Sequence, residues 1–398
     1  LEKLQRAARR HAARRPSQTA ARVEHLIADF IDAYWLVPLH PRERPFQVAM
    51  WKKDYLVFLR TGQGAKASSL TLGLISAVAG RLGQSMFDAT ELLLQIFTDD
   101  PKAAVAGTDQ ERDERMATLL ALWIILGFGV AFHKAARGFD NIWIGARYQF
   151  IPGGIKVSVN PELVAEVGGL VRDALAVNKS PLSVMQTLAG KANHIAGLIQ
   201  SWRPFLADLW AAIAKATRNP QRIQSHIWTR QVRDCLTWLD AFISHKQGSM
   251  VRTYLLRHHY NEGPVVHMAF DASPWGLGGT LVEDGVLTEC CASALDSHDT
   301  RRFRHSLGRA EGQQSWESLS MLVTLRLWRR VWMSGRVRLV LQGDSMSALY
   351  AATLYKAKGY GTNLVARELS LLMGEAMYRP DVVEHVPGIS NKLPDHLS

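Results

Sequence analysis

Apolar positions along the chain keep two rhythms, one of period two and one near 3.6, and the switches between them mark the elements. In the first part, Leu36-Val37-Pro38-Leu39 and Tyr55-Leu56-Val57-Phe58-Leu59 read as strands. Ser69 to Phe87 and Asp109 to Leu126 keep helical spacing. The longest apolar run, Ala117 to Phe132, is interrupted by Thr118, Gly127 and Gly129. It is shorter than the roughly 20 residues that span a bilayer, and it predicts a buried helix running into a strand. From residue 156 to 260 the pattern is mostly helical. Asn160-Pro161 and Ser180-Pro181 both read as an N-cap with proline at the first helical position. Behind the first cap, Leu163, Val167, Leu170, Val171 and Leu175 form a helical stripe. The third part opens with β-rich runs, Val265 to Phe270 and Gly279 to Val282. A long helix around Trp316 to Val331, a strand from Val337 to Leu341 and a helix from Ser345 follow. Strands first, then helix alternating with strand, predict an α/β unit of about 130 residues.

With 398 residues and no repeat or low-complexity tract, the chain is long enough for two or three cores. Composition excludes a disordered tail and a disulfide scaffold. Cys235, Cys290 and Cys291 are too few for a four-ligand zinc site without histidines, and they fit thiols of a reducing compartment. That predicts an intracellular protein, cytoplasmic or nuclear and not secreted. Charge changes the picture most. Lys and Arg exceed Asp and Glu by 11, which favours a polyanionic partner, nucleic acid before an anionic membrane. Seven basic residues lie between Lys3 and Arg22. They fit a transit peptide or a solvated basic helix that touches phosphates. Nine arginines lie between Arg301 and Arg338, where Glu311 and Glu317 are the only acids, and they suit a phosphate backbone or a plain solvated face. Trp202, Trp210, Trp228 and Trp238 stand at helical spacings and are expected in the core.

Against this background two sets of acids stand out because apolar residues surround them. Asp29 follows the strand-like Leu26-Ile27-Ala28, and Asp99-Asp100 falls between two apolar runs that read as strand, tight turn, strand. An acid pair at a hairpin tip is common by itself. A third carboxylate on a neighbouring strand makes the set fit two hard cations that share oxygen ligands. The second set is Asp271 and Asp344, each ending a β run, with Glu317 on an otherwise apolar helix and Asp395 near the C-terminus. Taken singly, Glu317 is an ordinary first-turn acid and Asp395 an ordinary cap. Four together, in the order strand, helix, strand, C-terminal helix, predict one site.

At this point the residues resemble a known family, the reverse transcriptases of retroelements with a C-terminal RNase H domain. D-F-I-D-A-Y-W-L-V-P-L (Asp29 to Leu39) is similar to the first catalytic motif of retroviral-type polymerases. Q-G-A-K-A-S-S (Gln63 to Ser69) resembles the Gln-Gly motif, with Ser-Ser where the family has Ser-Pro. F-T-D-D (Phe97 to Asp100) resembles the Tyr-x-Asp-Asp hairpin, with Phe for Tyr. L-G-F-G-V-A-F-H-K (Leu126 to Lys134) and I-W-I-G-A-R-Y (Ile142 to Tyr148) resemble the pyrophosphate-lysine segment and the primer-grip hairpin. D-A-S-P-W-G-L-G-G (Asp271 to Gly279), W-E-S-L (Trp316 to Leu319) and Q-G-D-S-M-S-A-L (Gln342 to Leu349) are similar to the three acid motifs of RNase H. H-V-P-G-I-S-N-K-L-P-D-H-L-S (His385 to Ser398) resembles its closing segment, with Pro394 at a position where a small residue is usual. The likeness is strongest to the DIRS or gypsy style of element.

The resemblance implies a basic segment at 1–25, a palm at 26–155, a helical thumb and connection at 156–262, and an RNase H-like domain with a mixed sheet at 263–398. Only 28 residues precede Asp29, and none resembles the family's fingers, so an N-terminally truncated or decayed polymerase is expected beside a complete RNase H. It implies that Asp29, Asp99 and Asp100 bind two Mg²⁺ or Mn²⁺ ions, and that Asp271, Glu317, Asp344 and Asp395 bind two more. Lys134 would assist the leaving pyrophosphate. Phe30, Tyr34, Gln63 and Gly64 would contact the nucleotide, with Tyr34 gating the sugar 2′ position, and Trp143 and Gly145 would hold the primer end. His385 would assist product release, or anchor its loop. The implied partners are an RNA template, a DNA primer, an RNA–DNA hybrid and dNTPs, with other domains of a retroelement polyprotein and no membrane. The implied function is RNA-directed DNA polymerisation coupled to RNase H cleavage. Two other readings stay open: a nucleic-acid-binding remnant without turnover, and a nuclease whose polymerase part is a scaffold.

Overall fold

The computed structural model describes residues 22–218, 224–255, 263–355, 359–376 and 380–398. The basic segment expected at 1–25 therefore lies, up to residue 21, outside the described residues. The chain is mixed α/β with mixed sheets and divides into two compact units, one ending at Ile155 and one starting at Lys156.

The first unit is built on β1 (Arg22–Ile27). The short helix α1 (Ala33–Leu36), the hairpin β2 (Val48–Trp51) and β3 (Asp54–Val57), and helix α2 (Ser68–Ser85) follow. Then come β4 (Leu92–Phe97), β5 (Asp100–Gly107), α3 (Asp109–Ile125), β6 (Ala136–Gly138), and the hairpin β7 (Asp140–Trp143) and β8 (Ala146–Ile151). The main sheet runs β4-β5-β1-β6. Alternation along β5 explains why it is buried on both faces. Ala103 and Val105 join Leu72, Ala79, Leu119 and Trp123 of α2 and α3, while Ala104 and Ala106 join Val23 and Phe150 on the other face. Helix α3 starts at a capping box, in which Thr108 Oγ1 accepts from the Glu111 amide at 3.3 Å and Glu111 accepts from the Thr108 amide at 2.8 Å.

The second unit begins within β9 (Gly154–Val159), followed by α4 (Pro161–Ala176), β10 (Lys179–Pro181) and α5 (Leu182–Leu198). After a 3₁₀ turn (Gln200–Leu206) come α6 (Ala207–Thr217), β11 (His226–Trp228), α7 (Thr229–Ile243) and β12 (Val251–Leu255). Val171, Met185, Leu188, Ile195, Trp202, Phe205, Leu236 and Leu239 form their core. The rest of the unit is β13 (Val265–Ala272), β14 (Gly276–Glu283), β15 (Val286–Ala294), α8 (Ser297–Phe303), α9 (Gln313–Leu327) and α10 (Arg329–Met333). It ends with β16 (Arg338–Gly343), α11 (Met346–Leu354), α12 (Tyr360–Glu375), β17 (Val382–His385) and α13 (Lys392–Leu397). Its five strands are ordered β15-β14-β13-β16-β17. The hairpin pairs are antiparallel, and β13–β16 and β16–β17 are parallel.

Several sequence expectations need correction. Leu36 ends α1 instead of starting a strand, and Pro38, which has no N–H to give a ladder, makes only an isolated bridge to Arg60. Ser180 does not cap a helix; it pairs with Ile227 in the β10–β11 ribbon, and the helix starts at Leu182. The run from Ala117 leaves the helix at Ile125, turns at Gly127 with φ +86°, and meets Phe30 through a bridge at Val130. The expected long helix to Val331 breaks at Trp328, whose buried ring donates from Nε1 to Glu289 Oε2 at 2.9 Å. Strand β15, with its mostly exposed residues, gave no alternation to read. Trp202 is buried, but Trp210 and Trp228 are exposed. Four of the nine arginines are neutralised by acids distant in sequence, Arg326 by Glu368, Arg329 by Glu375, Arg330 by Glu289 and Arg336 by Asp381.

Candidate active site

The parallel register of β13 and β16 sets the stronger of the two sites. Ala269 lies opposite Gln342, so Asp271 and Asp344 leave the same end of two adjacent strands, each two residues further on. Helix α9 lies against β13 and brings Glu317 to the same end. One ligand oxygen from each of Asp271, Glu317 and Asp344 lies within 4.8 Å of the others. Asp271 and Glu317 are buried, and Asp344 is half-buried.

Three carboxylates this close oppose one another's ionisation. Burial first, then Asp344, push the Asp271 carboxyl up to about 6. Burial first, then Asp271, push Glu317 up to about 8. Glu317 Oε1 accepts from Gln313 Nε2 at 2.7 Å, but its Oε2 is buried without a hydrogen-bond partner. An orphaned carboxylate oxygen in a cluster of acids is what a hard cation with oxygen ligands would satisfy. The residues present fit Mg²⁺ or Mn²⁺.

Supporting groups fix these acids. Asn391, itself buried, donates to Asp271 Oδ1 at 3.2 Å and to the Phe270 carbonyl at 3.1 Å. Ser398 Oγ donates to Asp271 Oδ2 at 3.2 Å. Gln313 Nε2 also donates to the Ala272 carbonyl, tying α9 to the end of β13. Sequence reasoning quoted Asn391 only as part of a motif and overlooked Gln313, although its place one turn before Glu317 puts both on one helix face. Helix α13 packs on β14 because the strand offers glycines there: a Cβ at Gly278 would lie 2.2 Å from the Pro394 carbonyl. Asp395 is exposed on that helix and outside the trio, yet its charge still contributes to raising Asp271. His385 ends β17, paired with Gly343.

In the first unit the β1–β5 pairing places Asp29 beside the β4–β5 turn. The Phe30 amide donates to the Asp99 carbonyl at 3.0 Å, and the Ala131 amide to the Asp29 carbonyl at 2.9 Å. Lys134 donates to Asp29 Oδ2. Burial, Asp99 and Asp29 raise the Asp100 carboxyl, against the pull of Lys134. Among the described residues, Asp29, Asp99 and Asp100 do not make a three-ligand group like the one in the second unit. The Phe30 ring is in the core against Trp123 and Phe128, so only its backbone is near the acids. Tyr34 shares a hydrogen bond of 3.3 Å with Ser69, while Gln63 and Gly64 are exposed. Gly145, at φ +76°, turns the β7–β8 hairpin, and Trp143 Nε1 donates to the Asp100 carbonyl at 3.1 Å. Lys102 lies beneath this hairpin, 3.7 Å from the Tyr148 ring and 4.4 Å from that of Trp143, and burial brings its ammonium down to about 8.

Fold and site thus define a mixed α/β protein with a carboxylate-lined candidate metal centre. No protein-family model matches the chain, and no curated protein matches it. Among solved structures it is similar to a foamy viral protease-reverse transcriptase dRH in complex with double-stranded DNA. That match has 14% identity, a TM-score of 0.47, and coverage of 91% of this chain and 56% of the other. It is also similar to the foamy viral protease-reverse transcriptase with an RNA/DNA hybrid, at 14% identity and TM-score 0.44, over 92% of this chain and 45% of that one. For the complex with double-stranded DNA the figures are 13%, 0.43, 92% and 68%. The chain therefore spans about half the length of the first two. No helix among the described residues is long and apolar enough to cross a membrane.

Proposed function

We propose that the chain cleaves the RNA strand of an RNA–DNA hybrid at the Asp271–Glu317–Asp344 centre, as the RNase H-like part of a retroelement reverse transcriptase. The convergence of these three acids within 4.8 Å, on two strands and a helix, carries the reading. Asp271, Glu317 and Asp344 would hold Mg²⁺ or Mn²⁺, and Asp395, whose charge is felt at Asp271, would add a fourth carboxylate. When bound, such an ion lowers the pKa of water and stabilises the leaving oxygen of a phosphodiester. The chain's own residues fix the acids: Gln313 holds Glu317, and Asn391 and Ser398 hold the two oxygens of Asp271. Choice of RNA over DNA would rest on contacts to 2′-hydroxyls across the minor groove. The test is release of labelled RNA fragments from a hybrid with Mg²⁺, abolished in Asp271→Asn; cleavage that survives this change excludes the site.

In the same reading residues 26–155 form the palm of an RNA-directed DNA polymerase, 156–262 a thumb and connection, and 263–398 the nuclease domain. Asp29, Asp99 and Asp100 would hold the ions, Lys134 would meet the departing pyrophosphate, and Tyr34 would exclude ribonucleotides. Gln63 and Gly64 would line the nucleotide, and Trp143 and Gly145 the primer end. The meeting of Asp29, Asp99 and Lys134 beside one β-turn favours this second activity. Template RNA, DNA primer and dNTPs would be its substrates and the cell interior its place of action. Primer extension on an RNA template, compared with Asp99→Asn, decides it. Extension equal in the two proteins, or absent from both, removes the polymerase and leaves the nuclease standing.

A further inference from the structure

The structure also holds an aromatic residue that carries two cations and belongs to neither set of acids. Trp228, expected in the core, ends β11 with 42% of its surface exposed. Across the ribbon it pairs with Lys179 of β10, whose Nζ lies 4.1 Å from the centre of the indole ring. The Arg230 guanidinium, from the first turn of α7, lies 5.4 Å from the same centre. Arg233 is exposed three residues further along the helix, on the same face. His226 is exposed at the alternate strand position, on the same side as Trp228.

Two like charges gathered at one ring repel each other, and cation–π attraction of an exposed pair is modest. Three other exposed arginines of this unit, Arg326, Arg329 and Arg330, each meet a carboxylate. Here, among the described residues, none of Lys179, Arg230 and Arg233 is ion-paired, and Asp234 beside them makes no ion pair either. The arrangement is short of an anion. Because the indole already orders both long side chains, less entropy is lost when they close on a ligand. We propose that Lys179, Trp228 and Arg230, which belong to neither set of acids, form a phosphate clamp for the backbone of a nucleic-acid strand. This rests on the nucleic-acid reading above. An acidic peptide would also satisfy the charge, but a partly exposed indole beside two cations suits a strand that alternates phosphates with flat bases.

The test uses the full chain and a fluorescein-labelled RNA–DNA hybrid in EDTA, so that cleavage does not intervene, with anisotropy followed over a salt series. Lys179→Gln with Arg230→Gln is expected to weaken binding several-fold and to lower the slope of log K against log salt by about 1.4–1.8, as for two lost phosphate contacts. Trp228→Ala keeps both charges, so it should weaken binding a few-fold with the slope unchanged. All three side chains are exposed, and circular dichroism confirms that the variants fold. Wild-type binding that the variants match in both affinity and slope overturns the clamp and leaves the nucleic-acid reading intact. No binding by wild type overturns both. Loss of binding to polyglutamate without loss of binding to the hybrid identifies a peptide site and also overturns the clamp.

Discussion

Gln313 Nε2 donates to Glu317 Oε1 at 2.7 Å, and the same nitrogen donates to the carbonyl of Ala272. One amide thereby fixes both the rotamer of a buried acid and the distance between α9 and the strand that carries Asp271. Gln313→Ala should leave the fold intact and lower metal affinity about 10–100-fold, the usual effect of losing a partner behind a metal ligand. Titration calorimetry with Mn²⁺ checks this. An affinity equal to wild type would mean that packing alone holds Glu317.

Without a cation, the trio is a source of instability. Glu317→Gln removes one acid from the cluster while keeping its shape, so the metal-free variant should melt at or above the temperature of wild type. Wild type should gain about 2.7 kcal/mol when Mg²⁺ is raised to 100 times its dissociation constant. The variant should gain little. Thermal scans with and without Mg²⁺ read both effects, and an equal Mg²⁺ shift in the two proteins would place the ion elsewhere.

The acids of this site could be read in the sequence because each interrupts an apolar run, which is a signal of short range. Their supporting groups leave a weaker trace: Gln313 is marked only by standing one turn before Glu317, and Asn391 and Ser398 only by their place in the closing motif, since their contacts with Asp271 arise on folding. Helix α2 shows another limit. Its apolar spacing marked a helix correctly, but Leu70, Leu74 and Val78 of that pattern are exposed, while Leu72, Ser76, Ala79 and Gly83 face the core. Period alone finds a helix and leaves its buried face undecided when two faces are apolar. Ser180-Pro181 fails for a related reason: the pair that starts a helix in one context starts a ribbon here, because Ser225 and Ile227 supply strand partners.

A pH effect should come from the first unit. His25 is buried, with its ring 4.2 Å from that of Phe150, and burial followed by the charge of Lys102 hold its imidazole down at about 3. The unfolded chain binds this proton near the ordinary 6.5, whereas the folded chain does so only near 3. Above pH 6.5 both states are neutral and the residue contributes nothing to pH dependence. As pH falls from 6.5 towards 3 the unfolded state gains the proton first, and stability drops by up to about 1.4 kcal/mol per unit. Denaturant midpoints measured from pH 7 to 4 should therefore fall less steeply in His25→Phe than in wild type. Parallel curves would show that His25 takes up its proton in the folded state at the ordinary pH.

The glycines of β14 provide the sharpest contrast between neighbouring demands. At Gly278 a Cβ would sit 2.2 Å from the Pro394 carbonyl and 2.8 Å from the Ser398 amide, both backbone atoms. Backbone cannot swing aside as a side chain can, so Gly278→Ala must push α13 off the sheet. The cost should be that of overpacking, about 1–3 kcal/mol. The same displacement would pull the Ser398 hydroxyl from Asp271 and disturb Asn391 at the head of the helix, so Mn²⁺ affinity should fall along with stability. Gly190 in α5 has nothing within 4 Å of its virtual Cβ. Gly190→Ala should stabilise the helix by about 0.5–1 kcal/mol and leave metal binding unchanged. Chemical denaturation and Mn²⁺ titration of the two variants separate these outcomes. If Gly278→Ala loses stability but binds Mn²⁺ as wild type does, α13 braces the sheet without positioning Asp271.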